Sequence, residues 1–80
     1  MVGTVLYALI TTSFGGNPPQ VSVYTTKEGA IEALDTEIAQ ASANGYHIET
    51  YDETERSIFN EEGDEIILDF KIVPVEVRGE

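Results

Sequence analysis

Eighty residues carry 15 acids against 4 bases, a formal net charge of −11, 41% hydrophobic residues and no cysteine, which bounds the chain to one small, strongly acidic domain spanning residues 1–80. A domain of this size buries only about 60% of the surface its unfolded chain exposes, so a long catalytic cleft is disfavoured. The hydrophobic fraction excludes a disordered acidic tail, the scattered bases Lys27, Arg56, Lys71 and Arg78 exclude a phosphate-neutralising surface, and the lack of cysteine excludes disulfides, thiolate nucleophiles and Cys-bearing zinc sites.

Val2 to Thr12 is rich in β-branched and aromatic residues and apolar at both parities, with Val5, Tyr7 and Leu9 on one face and Leu6, Ala8 and Ile10 on the other. This predicts a central strand covered at least partly on both faces. Its apolar run, Val5 to Ile10, is too short to span a membrane, and no basic leader precedes it. With the absent cysteines, that points to a cytoplasmic protein.

Ser13 to Gln20 concentrates Gly15, Gly16, Asn17, Pro18 and Pro19, which end a strand and make a hairpin connection or a recognition loop with Phe14 at its base. In the following segment Val21, Val23 and Thr25 alternate with Ser22 and Tyr24, as in a half-buried strand. Thr25 to Glu28 has the spacing of a capping box and predicts a helix start. Ile31, Leu34, Ile38 and Ala41, helped by Ala30, then repeat at steps of three and four, so one face of that helix is apolar. Asn44-Gly45 predicts its end, with Gly45 in the left-handed conformation. Glu28, Glu32 and Asp35 form a stripe beside the buried face, either a second acidic surface or the solvated side of the helix.

From Glu49 to Glu65 eight acids fall in seventeen residues: Glu49, Asp52, Glu53, Glu55, Glu61, Glu62, Asp64 and Glu65. Tyr46 to Tyr51 reads as a strand, and Asp52 to Glu55 has no assignment. Arg56–Asn60 and Glu65–Val73 form a hairpin across Glu61-Glu62-Gly63-Asp64, with Ile66, Leu68, Phe70 and Ile72 on one face and Asp69 and Lys71 on the other. After Pro74 the apolar parity passes to Val73, Val75 and Val77, which predicts a bulge, an edge or a crossing to another sheet or chain, and allows a homodimer through Val73–Val77. The sum is an α+β fold of order β-β-α-β-β-β: an antiparallel sheet of four to five strands with one amphipathic helix on one face.

Enzyme chemistry finds no support among these residues. His47 is the sole histidine, which excludes a His-pair zinc site within one chain, and no serine lies in a nucleophile motif. Phosphate-cradling glycine motifs are absent. A calcium loop starting at Asn60 fails at its sixth and twelfth positions, where Glu65 and Lys71 stand in place of Gly and Glu. No metal or other cofactor is therefore expected. Rows of carboxylates on strands, Glu53 with Glu55 or Glu62 with Asp64, can imitate phosphates toward a basic protein surface, with Tyr51 and Phe59 as packed anchors. The competing reading is a solvated surface kept for solubility.

In size, charge, absence of cysteine and a lone helix on a small sheet, the chain resembles the acidic inhibitors that bacteriophages make against host defences, the anti-CRISPR and anti-restriction type, some of which imitate DNA. The resemblance covers the whole chain in character, and no residue motif carries it. It implies a protein-binding inhibitor, acting in the host cytoplasm, whose acids at Glu49, Asp52, Glu53, Glu55, Glu61, Glu62, Asp64 and Glu65, with Phe59, block a nucleic-acid-binding groove. Three further readings compete: a binder that sequesters a nucleotide signal, a salt-adapted halophile protein, and a phage or plasmid structural part.

Overall fold

The computed structural model describes residues 4–77. Val2 and Gly3 of the first predicted strand, and Arg78, lie outside them. The elements run β1 (Thr4–Ser13), β2 (Gln20–Tyr24), α1 (Lys27–Ala43), β3 (His47–Asp52), β4 (Glu55–Phe59) and β5 (Ile66–Val77). All neighbouring strands are antiparallel, in the order β2-β1-β5-β4-β3. Two hairpins are closed by β5 returning to lie beside β1, and the fold is α+β as the sequence predicts.

One helix covers one face of the sheet. Its buried Ala30, Leu34 and Ala41 meet Leu9, Ile58, Phe70 and Ile72 in a single core, flanked by Tyr7, Tyr24, Ile31, Ala33, Ile38, Ile48 and Leu68. The helix starts one residue later than a Thr25 capping box requires. Thr26 is the cap, its Oγ1 accepting the N–H of Gly29 at 3.0 Å. Glu28 is therefore the second helical residue and has no reciprocal capping bond. A Cβ at residue 29 would lie 3.0 Å from that hydroxyl oxygen, so glycine permits the close cap. At the other end Gly45 takes φ 90°, Tyr46 N–H bonds Ala41 O and Gly45 N–H bonds Ser42 O, both at 3.1 Å. This paired pattern satisfies the last carbonyls and turns the chain directly into β3.

Cross-strand register corrects one expectation and resolves two that the sequence leaves open. Tyr24 pairs with Tyr7, which puts Ser22 and Tyr24 on the helix side and leaves Val21 and Val23 on the open face, 60% and 57% exposed. In β5 the pairing with β4 shifts from Ile58–Leu68 to Phe59–Ile66, so a bulge at Ile67 removes Ile66 from the Leu68/Phe70/Ile72 face. No bulge falls at Pro74: β5 pairs with β1 in unbroken register from Ser13–Leu68 to Thr4–Val77 and past Ile72 is an edge on the β4 side, one of the outcomes the sequence allows. Residues 73–77 therefore pair with β1 of their own chain. Ile72 donates its N–H to Thr54 O, on the β4 side, so Pro74, two residues on, also points its nitrogen toward that side, where β4 has ended. Proline removes no ladder bond there.

Candidate functional site: an acidic half-sheet

The acidic stretch folds into two turns at opposite ends of β4. The first, Glu53-Thr54, is a two-residue connection whose Asp52 Oδ1 accepts from Thr54 N at 3.3 Å. No residue here has positive φ, and a register shift between Thr50 and Asp52 takes up the twist that such a turn imposes on its strands. The second turn closes where the sequence predicts, with Asn60 N–H bonded to Glu65 O at 2.9 Å. Asn60 organises it: its Oδ1 accepts from the N–H groups of Asp64 and Glu65, and its Nδ2 donates to Asp64 Oδ1 at 2.8 Å. Gly63, at φ 78°, packs on the His47 ring. Glu61, Glu62, Asp64 and Glu65 are thereby presented, exposed, from a braced loop. About 17 Å of strand separates the two turns, so they do not form one patch.

Between them, the open face of β3, β4 and β5 carries three cross-strand rows. His47, Phe59 and Ile66 form the first; Glu49, Ser57 and Asp69 the second; Asp52, Glu55 and Lys71 the third. In the middle row Ser57 is buried to 2% exposure and donates its hydroxyl to Asp69 Oδ1 at 3.0 Å. Glu49 and Asp69 flank it about 10 Å apart across the strands, with Glu55 about 6.6 Å further along. Phe59 stands half-buried at the head of this array, beside the carboxylates rather than among the core residues. Asp69 is the member that sequence reasoning left out. The signal was its place opposite the Leu68/Phe70 face, read only as a solvated position.

Other predicted site residues are engaged elsewhere. Glu53 turns to the helix N-terminus, where it meets Lys27 Nζ at 3.1 Å, so the expected Glu53–Glu55 row does not form. The Glu53 carboxylate raises the Lys27 pKa, first through the hydrogen bond and then through its charge. Glu62 and Asp64 lie in the turn rather than on a strand. Asp35 is bound to the Arg56 guanidinium, whose other terminal nitrogen donates to Glu53 O at 3.1 Å. The helical stripe therefore lies across the sheet from the open-face rows and does not extend them; Glu28 and Glu32 remain exposed on it. Among the described residues no three of His, Cys, Asp and Glu gather as a metal site would require, and no helix is long and apolar enough to cross a membrane.

A groove of about 430 Å³ opens between α1 and the β1–β2 hairpin, over Leu9, Thr11, Tyr24 and Phe70 and beside Glu37. Its lining holds a carboxylate and no lysine or arginine. Compared with known proteins, the chain matches no family model, no curated protein and no solved structure.

Proposed function

We propose that this protein is a phage-type inhibitor that binds a basic protein surface and blocks the nucleic-acid-binding groove of a host nuclease, CRISPR complex or DNA-binding protein. The observation that carries this reading is the carboxylate array of Glu49, Asp52, Glu55 and Asp69, in which Ser57 holds Asp69 and Thr54 holds Asp52, continued by Glu61, Glu62, Asp64 and Glu65 of the turn that Asn60 braces. Paired strands and a braced turn set the backbone spacing of these carboxylates, which can then meet Lys and Arg side chains already spaced for phosphates. Phe59 and the His47 ring supply an apolar anchor at one end of the array. The protein does no chemistry on its target, takes no cofactor, avoids nucleic acid itself and acts in the host cytoplasm.

Nucleotide sequestration finds less support. Lys27 and Arg56 are each held by an acid of this chain, and the groove beside Glu37 repels phosphate.

Titrating the protein into a labelled-DNA complex of a nucleic-acid-binding effector, read by fluorescence anisotropy, tests the proposal. DNA should be displaced, and Glu49→Lys/Glu61→Lys/Glu62→Lys should lose displacement by about a hundredfold while circular dichroism stays unchanged. Asp64 is left alone in this variant because Asn60 leans on it. If effectors captured by the protein keep their DNA affinity in its presence, the inhibitor reading is wrong.

A further inference from the structure

The other half of the open face has the opposite character. Val23, Ala8 and Val73 lie side by side across β2, β1 and β5, with Leu6 and Val75 in the next row, Val21 and Ile10 on the other side, and Lys71 closing that last row. Val21, Val23, Val75 and Val77 are 60%, 57%, 42% and 45% exposed. An antiparallel sheet that faces water on one side normally alternates to polar residues there. This one does so only over β3, β4 and the adjoining end of β5. β1 and β2 contain no charged residue, so a chain of net charge −11 keeps half of one face free of carboxylates.

We propose that a second copy of this chain packs on that valine face, sheet against sheet with the helices outward. Charge selects a second copy over a basic partner. A basic surface would gain nothing from an uncharged valine patch and would seek the acidic half instead. Two copies related by a twofold axis that runs along the strands near Ala8 place their acidic halves on opposite sides of the axis, so this arrangement brings two like-charged chains together with least repulsion. The sheets would stack about 10 Å apart, as two antiparallel sheets do. A patch of a few hundred Å² is of the size an ordinary monomer exposes and falls below the roughly 800 Å² per partner of a standard interface, so the dimer is a weak one that forms at high concentration. The proposal does not rest on the inhibitor reading.

Sedimentation equilibrium of the full chain, from about 10 µM to about 1 mM and in about 0.05 and 0.5 M NaCl, tests it. The mass should move from 8.8 kDa toward twice that value, with the dissociation constant falling about tenfold at the higher salt as repulsion is screened. Val23→Lys/Val75→Lys should hold the chain monomeric. Val23→Thr/Val75→Thr, which keeps strand propensity and shape, should weaken the dimer about tenfold and covers the case in which the lysines disturb folding. A chain that stays monomeric at about 1 mM in high salt, a dimer indifferent to both variants, or association that weakens with salt overturns the proposal. Binding of a basic partner through the acidic half weakens with salt and survives both variants, so the two readings fail separately.

Discussion

Gly63 shows how a single residue sets the acidic turn. Its φ of 78° lies where side chains other than glycine are strained, and a Cβ there would stand 3.2 Å from the His47 ring. Gly63→Ala should therefore lower the unfolding free energy by about 1–2 kcal/mol in urea titration. Adding His47→Ala should return only the steric part, because the backbone strain remains. Asn60→Ala should cost about 1–2 kcal/mol as well, since its carboxamide serves three hydrogen bonds that water would replace poorly in that geometry. Lys27 works differently. Its pKa is raised by Glu53, so the stabilisation is fully present below the ordinary lysine pKa and is lost as pH rises through the raised one. The difference in Tm between Lys27→Gln and the parent should thus be constant around neutral pH and vanish in strong base.

At the scale of elements, the helix is fastened to the sheet by apolar packing and by two polar links, Lys27 with Glu53 at its N-terminus and Asp35 with Arg56 further along. The Arg56 side chain is 13% exposed on the helix-covered face, between the positions of Thr50 and Phe70, and its charge is met by Asp35 of α1. Asp35→Asn should lower stability by about 1 kcal/mol, because it removes the carboxylate from a guanidinium with little access to water. The matched control, Glu32→Gln, removes an exposed acid from the same stripe and should leave the urea midpoint unchanged or slightly raised. Pro74 plays a protective part in β5. Beyond Lys71 that strand has lost β4, and a residue with an N–H at 74 would offer an open ladder position to any passing strand.

Over the whole molecule, charge and shape are divided along the sheet rather than spread around it. The molecule is elongated, 51 × 25 × 17 Å, and its uncharged strands β2 and β1 lie at the opposite side of the sheet from the acidic β3 and β4. A net charge of −11 on 80 residues opposes compaction, so the urea midpoint should rise as NaCl is added through the first few tenths molar. The same experiment addresses salt adaptation, since a chain fully folded in dilute buffer has no need of molar salt. Self-association and partner binding should respond to salt with opposite signs, one joining like charges and the other joining unlike ones.

The sequence alone determined what depends on near neighbours. Element order, the apolar stripe of α1, the Gly45 helix end and the turn at Glu61-Glu62-Gly63-Asp64 were all legible, because periodicity and turn chemistry act over a few residues. So was the sharing of a face by Leu68, Phe70 and Ile72. The sense of the β2 alternation was not. A strand alternating valine with Ser and Tyr has two faces, and only its register against Tyr7, together with the side on which the single helix packs, turned Tyr24 inward and the valines out. The acidic stretch was legible as a concentration of charge, yet chain proximity misled about its shape. β4 drives its two turns to opposite ends of the sheet, Lys27 draws Glu53 toward the helix, Arg56 occupies Asp35 of the helix, and Asp69 comes in from β5 to complete the array with Glu49. Which carboxylates stand together is a matter of cross-strand pairing, and pairing is decided by the whole sheet closing over its core.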